Sequence, residues 1–385
     1  MRSAIPPVDH PGRIARWTSR LAGVALIAFL MAGLATTAYQ VARGDLDLFP
    51  QGVGWRAFLD GDTTRELAHA LSNAPLPAES ARLERGLSWL AAGDLGPRVR
   101  EGCPGWLFLS DEFMRYPHAA DNAQSRAREV LRIKDALARR HIALVVAVVP
   151  DKSRIAAAHL CGLQRPAASA RRLDDWVATL RAEGVDAVDL APVLAAIGDG
   201  GPSGAGAYLR TDTHWNETGA QAAADAVAQA IRGAGITVTP RTDWTVRTQA
   251  ESRPGDLIRL AGLDWLPARL QPPPDTTPVS VFTQKPAAAA GSGADDLFGD
   301  DNLPNAALIG TSFSRNSNFV PFLENALHAR IPDFARDGGD FAGAANAYFG
   351  SPAFRQTPPK LLIWEIPERV IEAPRNGDTI ALDRP

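Results

Sequence analysis

The chain has 385 residues, of which 45% are apolar and 22% charged, and its formal net charge is −3. That is room and composition for one large globular domain with small additions. A balanced charge with no long basic run offers nucleic acid nothing to bind, so a nucleic-acid partner is excluded.

The first element in chain order is a helix of unusual apolarity. Leu21 to Tyr39 reads LAGVALIAFLMAGLATTAY, without a charge. Such a stretch spans about 28 Å as a helix, close to the hydrocarbon thickness of a bilayer. Arg13, Arg16 and Arg20 precede it, and Asp45 and Asp47 follow. The positive-inside rule then leaves 1–20 as a cytoplasmic tail and sends everything after the span outward. An uncleaved signal anchor over 21–41 is favoured over a cleaved signal peptide, whose apolar region is shorter. Residues 42–95 read as a helical linker. Leu67, Ala70 and Leu71, then Leu83, Leu87 and Leu90, stand at helical spacing, and Gly93 and Gly96 close the segment. Cys103 and Cys161 are the only cysteines. In an exported chain they read as one disulfide, with two buried free thiols as the alternative.

From Trp106 onward strands alternate with helices. The spacing predicts strands at 106–109, 142–149, 185–190, 306–309 and 361–366. It predicts helices at 122–140, 168–183, 217–232 and 319–329. Ile142 to Val149, IALVVAVV, suits a strand buried on both faces of a parallel sheet. The domain at 96–375 is therefore expected to be α/β, a parallel sheet sandwiched by helices. Residues 234–304, rich in Pro, Gly and Asp, read as an irregular insertion with a flexible loop near 285–300, and 376–385 as a tail.

Two segments carry chemistry. In Thr211-Asp212-Thr213-His214-Trp215-Asn216, just before a helix, Asp212 and His214 point the same way in an extended turn. Asp212 can then hold His214 Nδ1 and leave Nε2 free as a base, while Asn216 caps the helix. In Leu308-Ile309-Gly310-Thr311-Ser312-Phe313-Ser314, an apolar strand runs into a small-residue turn that projects Ser312 at the carboxyl end of the sheet. Backbone amides of such a turn can face an oxyanion. No P-loop, dinucleotide fingerprint or paired CxxC occurs, and His214 has no second His or Cys at ligand spacing. No metal or cofactor is expected.

The turn GTSFS resembles the nucleophile block of SGNH hydrolases, and DTHW resembles their Asp-x-x-His block with one residue fewer. Further segments make the chain similar to the alginate O-acetyltransferase family of AlgJ/AlgX-like proteins. They are GWLFL at 105–109 with Asp111-Glu112-Phe113, Val149-Pro150-Asp151-Lys152 with Arg154-Ile155, Gly255-Asp256-Leu257, and LIWEIPER at 362–369. The likeness covers about 50–372. Asp-x-His precedes the serine, the order of a circular permutation of the SGNH arrangement.

The resemblance implies an SGNH-like fold and O-acetyl transfer onto an exopolysaccharide, alginate-like or another secreted glycan. It implies an anchor in the inner membrane, a catalytic domain in the periplasm, and a catalytic set of Ser312, His214 and Asp212. The acetyl donor would be a membrane-bound O-acyltransferase, and the partners would be the polysaccharide acceptor and other exopolysaccharide assembly proteins. The alternatives are an SGNH-type carbohydrate esterase and a non-catalytic subunit of an acetylation complex. For the oxyanion or the substrate, Arg315, Asn316 and Asn346 are candidates, with Trp215 as a platform for a sugar ring. Lys152 and Arg154 read as loop residues, and Glu365 with Arg369 as an ion pair.

Overall fold

The computed structural model describes residues 13–49, 52–198, 206–285, 303–375 and 377–382. The chain divides into two compact units, one ending at Asp94 and the other starting at Leu95.

The first unit is helical: α1 (Arg13–Arg43), α2 (Trp55–Leu59), α3 (Asp62–Ser72) and α4 (Pro75–Ala92). α1 extends beyond the apolar stretch at both ends. Its Thr18–Arg43 part has a mean hydropathy of 2.1 in its most apolar window, none of which is buried. It is long and apolar enough to cross a membrane. α4 starts with Pro75 in the first turn and stops at Gly93, whose φ of 68° is left-handed backbone that glycine adopts without strain. Leu83, Leu87 and Leu90 lie exposed along it.

The second unit begins with β1 (Val99–Glu101) and β2 (Leu107–Leu109), an antiparallel pair. The strand expected at 106–109 therefore stands outside the main sheet. Next come α5 (Ala119–Ala138), β3 (Ala143–Val149), α6 (Lys152–Ile155), α7 (Arg172–Ala182), β4 (Asp186–Asp189), α8 (Ala191–Ala195) and α9 (Glu217–Gly233). A hairpin of β5 (Trp244–Arg253) and β6 (Asp275–Gln284) flanks α10 (Asp256–Leu260). The chain finishes with β7 (Ala306–Ile309), α11 (Ser312–Arg315), α12 (Phe319–Leu327), α13 (Gly343–Phe349), α14 (Pro352–Gln356) and β8 (Leu361–Pro367).

The main sheet has the order β4-β3-β8-β7, with every pair parallel. Its side chains alternate between two cores, as the period-two pleat requires. Leu144, Val146, Val148, Leu362, Trp364 and Ile366 pack on the face that holds α5 and α7. Val145, Ala147, Val149, Leu361 and Ile363 pack on the other, against α9 and α12. Burial on both faces explains why β3 and β8 are almost uninterrupted apolar runs. The carboxyl ends of these strands deliver Lys152, Ser312 and Glu368 to one edge.

Between 234 and 304 the expectation of irregular structure is overturned by the β5–β6 hairpin, ten residues a side, with Val246 opposite Phe282. β5 is exposed over nearly its whole length. Its sequence TVRTQAES therefore lacks the apolar alternation that one buried face would impose. The flexible loop expected near 285–300 falls almost wholly outside the described residues.

Candidate active site

Ser312 is placed by β7 and the turn after it. Gly310 sits where a Cβ would lie 2.6 Å from Glu365 Oε2 and 2.7 Å from Ser314 Oγ, so only glycine fits. Glu365, buried in the middle of β8, accepts the Thr311 N–H at 2.6 Å, the Thr311 hydroxyl at 3.0 Å and the Ser314 hydroxyl at 3.1 Å. Burial pushes this carboxyl up, against the pull of those bonds. Glu365 thus braces the turn rather than pairing with Arg369. Ser312 itself stands half-buried at the head of α11.

His214 lies in a tight loop ahead of α9. Tyr208 and Trp215 form a bridge across that loop, and the Leu209 N–H donates to the His214 carbonyl at 3.2 Å. Asn216 caps α9, its side chain accepting the Gly219 N–H at 3.0 Å. The loop aims His214 Nε2 at Ser312 Oγ, 2.7 Å away and 98 positions along the chain. On the other side His214 Nδ1 meets Asp212 Oδ1 at 2.6 Å. With Nδ1 donating to the carboxylate, Nε2 is the nitrogen that accepts the serine proton. The ring packs edge-on to Phe313 at 4.9 Å.

Asp212 also accepts the His214 N–H at 2.9 Å and the Asp256 N–H at 3.0 Å. Burial alone would raise its carboxyl. The bonds and charge of His214, with the Asp256 N–H, outweigh burial and hold it well below the usual carboxylate range. Asp212 therefore stays an acceptor. Asp256 is pushed the other way, by burial and by the charge of Asp212. Its carboxylate takes the Thr213 N–H at 2.7 Å and the Thr213 hydroxyl at 2.5 Å, which fixes the residue between Asp212 and His214.

Asp212, His214 and Asp256 also form the cluster, among the described residues, whose ligand atoms lie close enough to share a metal ion, within 4.8 Å. Asp212 and His214 direct those atoms at each other, and Asp256 directs its own at Thr213. Hydrogen bonding accounts for the arrangement.

Ser312, His214, Asp212 and Asp256 open onto a cleft of about 390 Å³, also lined by Arg98, Arg259, Asn316 and Arg369. A second recess of about 630 Å³ adjoins it, sharing Asp212, Asp256, Arg259 and Asn316. The Arg369 guanidinium lies over the Phe313 ring, 5.1 Å from its centre.

Of the residues proposed from the sequence for the oxyanion or the substrate, Asn316 alone is among those lining this cleft. Its Nδ2 donates to the Ser312 carbonyl at 2.8 Å. Arg315 is exposed and lies 3.7 Å from Asp337, a residue of the cleft wall, without being among the lining residues itself. Asn346 does not join the site. It pins the C-terminal segment through the Thr379 carbonyl and the Ala381 N–H, at 3.1 and 2.9 Å. Trp215 is fully buried between Phe313 and Phe319 and cannot meet a sugar. Cys103 and Cys161 are joined as a disulfide, with Cα atoms 5.0 Å apart.

Sequence reasoning gave Asp256 no role and read Lys152 as a loop residue. Lys152 is buried, and its ammonium binds three backbone carbonyls behind the site. Arg154 is no solvated loop residue either: it pairs with Glu368 at 2.6 Å. The usable signal was charge in apolar surroundings. A lone Glu365 inside LLIWEIP, and a lysine two residues after VVAVVP, mark buried and hence partnered charges.

Residues 99–368 match the family described as SGNH hydrolase-like domain, acetyltransferase AlgX. The chain is 34% identical over 311 residues to the probable alginate O-acetylase AlgJ of Pseudomonas aeruginosa, covering 79% of this chain and 78% of that one. It is 30% identical over 268 residues to the alginate biosynthesis protein AlgX of Pseudomonas putida, covering 68% and 54%. Among solved structures, the O-acetyltransferase domain of Pseudomonas putida AlgJ superposes with a TM-score of 0.63 at 26% identity, over 74% of this chain and 96% of that one. With an SGNH-like sheet and a match spanning nearly the whole second unit, the chain belongs to the SGNH hydrolase-like AlgJ/AlgX acetyltransferase family.

Proposed function

We propose that the protein transfers acetyl groups onto hydroxyls of an exopolysaccharide through an acetyl-Ser312 intermediate. The observation that carries this reading is the 2.7 Å approach of Ser312 Oγ to a His214 whose other nitrogen is held by Asp212, in a relative of alginate O-acetylases. Ser312 Oγ attacks the acetyl carbonyl as His214 Nε2 takes its proton, and Asp212 stabilises the imidazolium. The oxyanion is met by the backbone N–H of Ser312 at the head of α11, since the Phe313 and Ser314 N–H groups are given to the Thr311 hydroxyl and carbonyl. Asn316 stands beside it. The tetrahedral species collapses, and the leaving group departs with the His214 proton. A sugar hydroxyl then gives its proton to His214 and attacks the acetyl-serine. Collapse returns the proton to Ser312 Oγ and releases the acetylated polymer.

For the surrounding system, the alginate relatives and the apolar α1 support the following reading. The span is read as an uncleaved inner-membrane anchor with the second unit in the periplasm. An alginate-like polymer is the acceptor, a membrane-bound O-acyltransferase supplies acetyl, and AlgX-like proteins are the kind of assembly partner expected.

Mass spectrometry after incubation with a chromogenic acetyl ester should find a 42 Da adduct on Ser312 (the mass of an acetyl group replacing hydrogen). An oligosaccharide acceptor should gain the same mass. Ser312→Ala and His214→Ala should each lower turnover by at least about 10³-fold without unfolding, and Asp212→Asn by a similar or smaller factor. Acetate release with no mass gain on any acceptor would make the protein an esterase. Normal polymer acetylation in cells carrying Ser312→Ala would make it a non-catalytic subunit.

A further inference from the structure

We propose that protonated Lys152 is a positioning residue for this reaction: its ammonium clamps the peptide of Asp212 to the end of β2 and so sets where the Asp212–His214 arm stands. The inference rests on the triad reading above.

Lys152 opens α6, directly beyond the carboxyl end of β3, and is 1% exposed. Its Nζ donates to the Leu107 carbonyl at 2.5 Å, the Arg210 carbonyl at 2.8 Å and the Asp212 carbonyl at 2.9 Å. An ammonium has three N–H donors and no acceptor, so these bonds use all of it. The Leu107 N–H adds a backbone bond to the Arg210 carbonyl at 2.9 Å, and the two segments are cross-tied at that point.

The wall behind the ammonium is stiff. Trp106 and Phe108 lie 5.5 and 5.0 Å from Nζ, and Trp106 stacks on His159 at 3.8 Å. The Cys103–Cys161 bridge closes the same region. The arm itself is loop, whose buried carbonyls have no sheet ladder to bond them. Asp256 holds the arm at Thr213 from one side, and Lys152 holds it at the Asp212 carbonyl from the other. Without the ammonium, three buried carbonyls lose a donor, and the residue that orients His214 loses its mooring. Misplacement of a catalytic group by about 1 Å can cost on the order of 100-fold in rate.

Protonation is part of the role. The charged groups around Lys152 are Glu112 in the turn after β2, Asp212, Asp275 of β6 and Asp256 of α10. Burial outweighs their attraction and lowers the lysine to about 8. A neutral amine has two N–H donors and a lone pair, so one carbonyl then faces a lone pair. The sign of the linkage separates function from folding. Because the folded value lies below the ordinary 10.5, the unfolded chain binds more protons between about pH 8 and 10.5. Through that window this group makes the fold no weaker as pH rises, while the clamp is lost.

The test uses full-length protein in detergent and p-nitrophenyl acetate, with kcat and KM measured from about pH 6 to 10 after subtraction of the blank. Circular-dichroism melts are taken in parallel. Wild-type kcat should fall above about pH 8 with KM unchanged and the protein still folded. Lys152→Met should fold, lose about 10- to 100-fold in kcat with KM nearly kept, and show no alkaline limb. A folded Lys152→Met with wild-type kcat overturns the proposal. If that variant does not fold, the wild-type profile decides: a limb near pH 8 in folded protein supports the clamp, and a flat kcat to pH 10 overturns it. Ser312→Ala runs alongside. If it turns over ester like wild type, the triad reading itself has failed. If it is inactive while Lys152→Met is normal, only the positioning role is lost.

Discussion

Gly255 shows how narrowly a single residue can decide this site. It precedes Asp256, whose N–H reaches the Asp212 carboxylate only because the two backbones touch. A Cβ at Gly255 would overlap the Thr211 carbonyl and lie 2.7 Å from the Asp212 nitrogen, all of it backbone that cannot swing aside. Gly255→Ala should therefore cost about 1–3 kcal/mol of stability. It should also lower acetyl-ester turnover on the order of 100-fold, because it displaces both carboxylates beside His214. Urea unfolding and steady-state kinetics check the two parts separately, and wild-type turnover in the variant would show that the close approach is incidental. The motif Gly-Asp-Leu was visible in the chain. Its meaning was not, since Thr211 and Gly255 become neighbours only through folding.

At the scale of elements, the ends of β3 and β8 and the starts of α6 and α7 are tied by one ion cluster. Glu368 is met by Arg154 at 2.6 Å and Arg165 at 2.9 Å, and it accepts the Asp151 N–H at 3.0 Å. Asp151 in turn pairs with Arg172 at 2.5 Å. Burial alone would raise the Glu368 carboxyl; the Arg154 bond and the charges of Arg165 and Arg172 outweigh it and lower the carboxyl to about 2. A depressed folded value gives stability that is present above the ordinary 4.5 and is lost as pH falls toward 2. Glu368→Gln should thus lower the melting temperature at neutral pH and make the acid side of the melting profile shallower over that window. Parallel profiles of equal slope would remove Glu368 from the acid response. The hairpin of β5 and β6 carries a different lesson. Phe282 packs edge-on to Phe322 at 5.1 Å, while most of β5 faces solvent. A ribbon exposed this way leaves little apolar alternation, and Pro278 further disguises β6 as loop.

At the scale of the whole molecule, the N-terminal helix is long and apolar enough to cross a membrane, and the proposed anchor would set where the chemistry takes place. With Arg13, Arg16 and Arg20 before the apolar stretch from Leu21 to Tyr39 and acidic residues after it, alkaline phosphatase fused after residue 60 should be active, and the mature chain should retain its N-terminus. Soluble protein starting near Gln40 would show a cleaved signal instead. The sequence by itself determined what is local. The span, the buried strands β3 and β8, the helices they alternate with, and the paired residues Asp212 and His214 all follow from short-range periodicity and spacing. It also offered Ser312, because a small-residue turn after a buried strand has few other uses. Tertiary structure alone decided which charges are buried and what they hold. Lys152, Glu365 and Asp256 find their hydrogen-bond partners 43 to 60 positions away. A buried charge is defined by those partners, since desolvation is offset only where hydrogen bonds meet it. Folding likewise kept Trp215 and Asn346 out of the cleft, because packing and the C-terminal segment claimed them first.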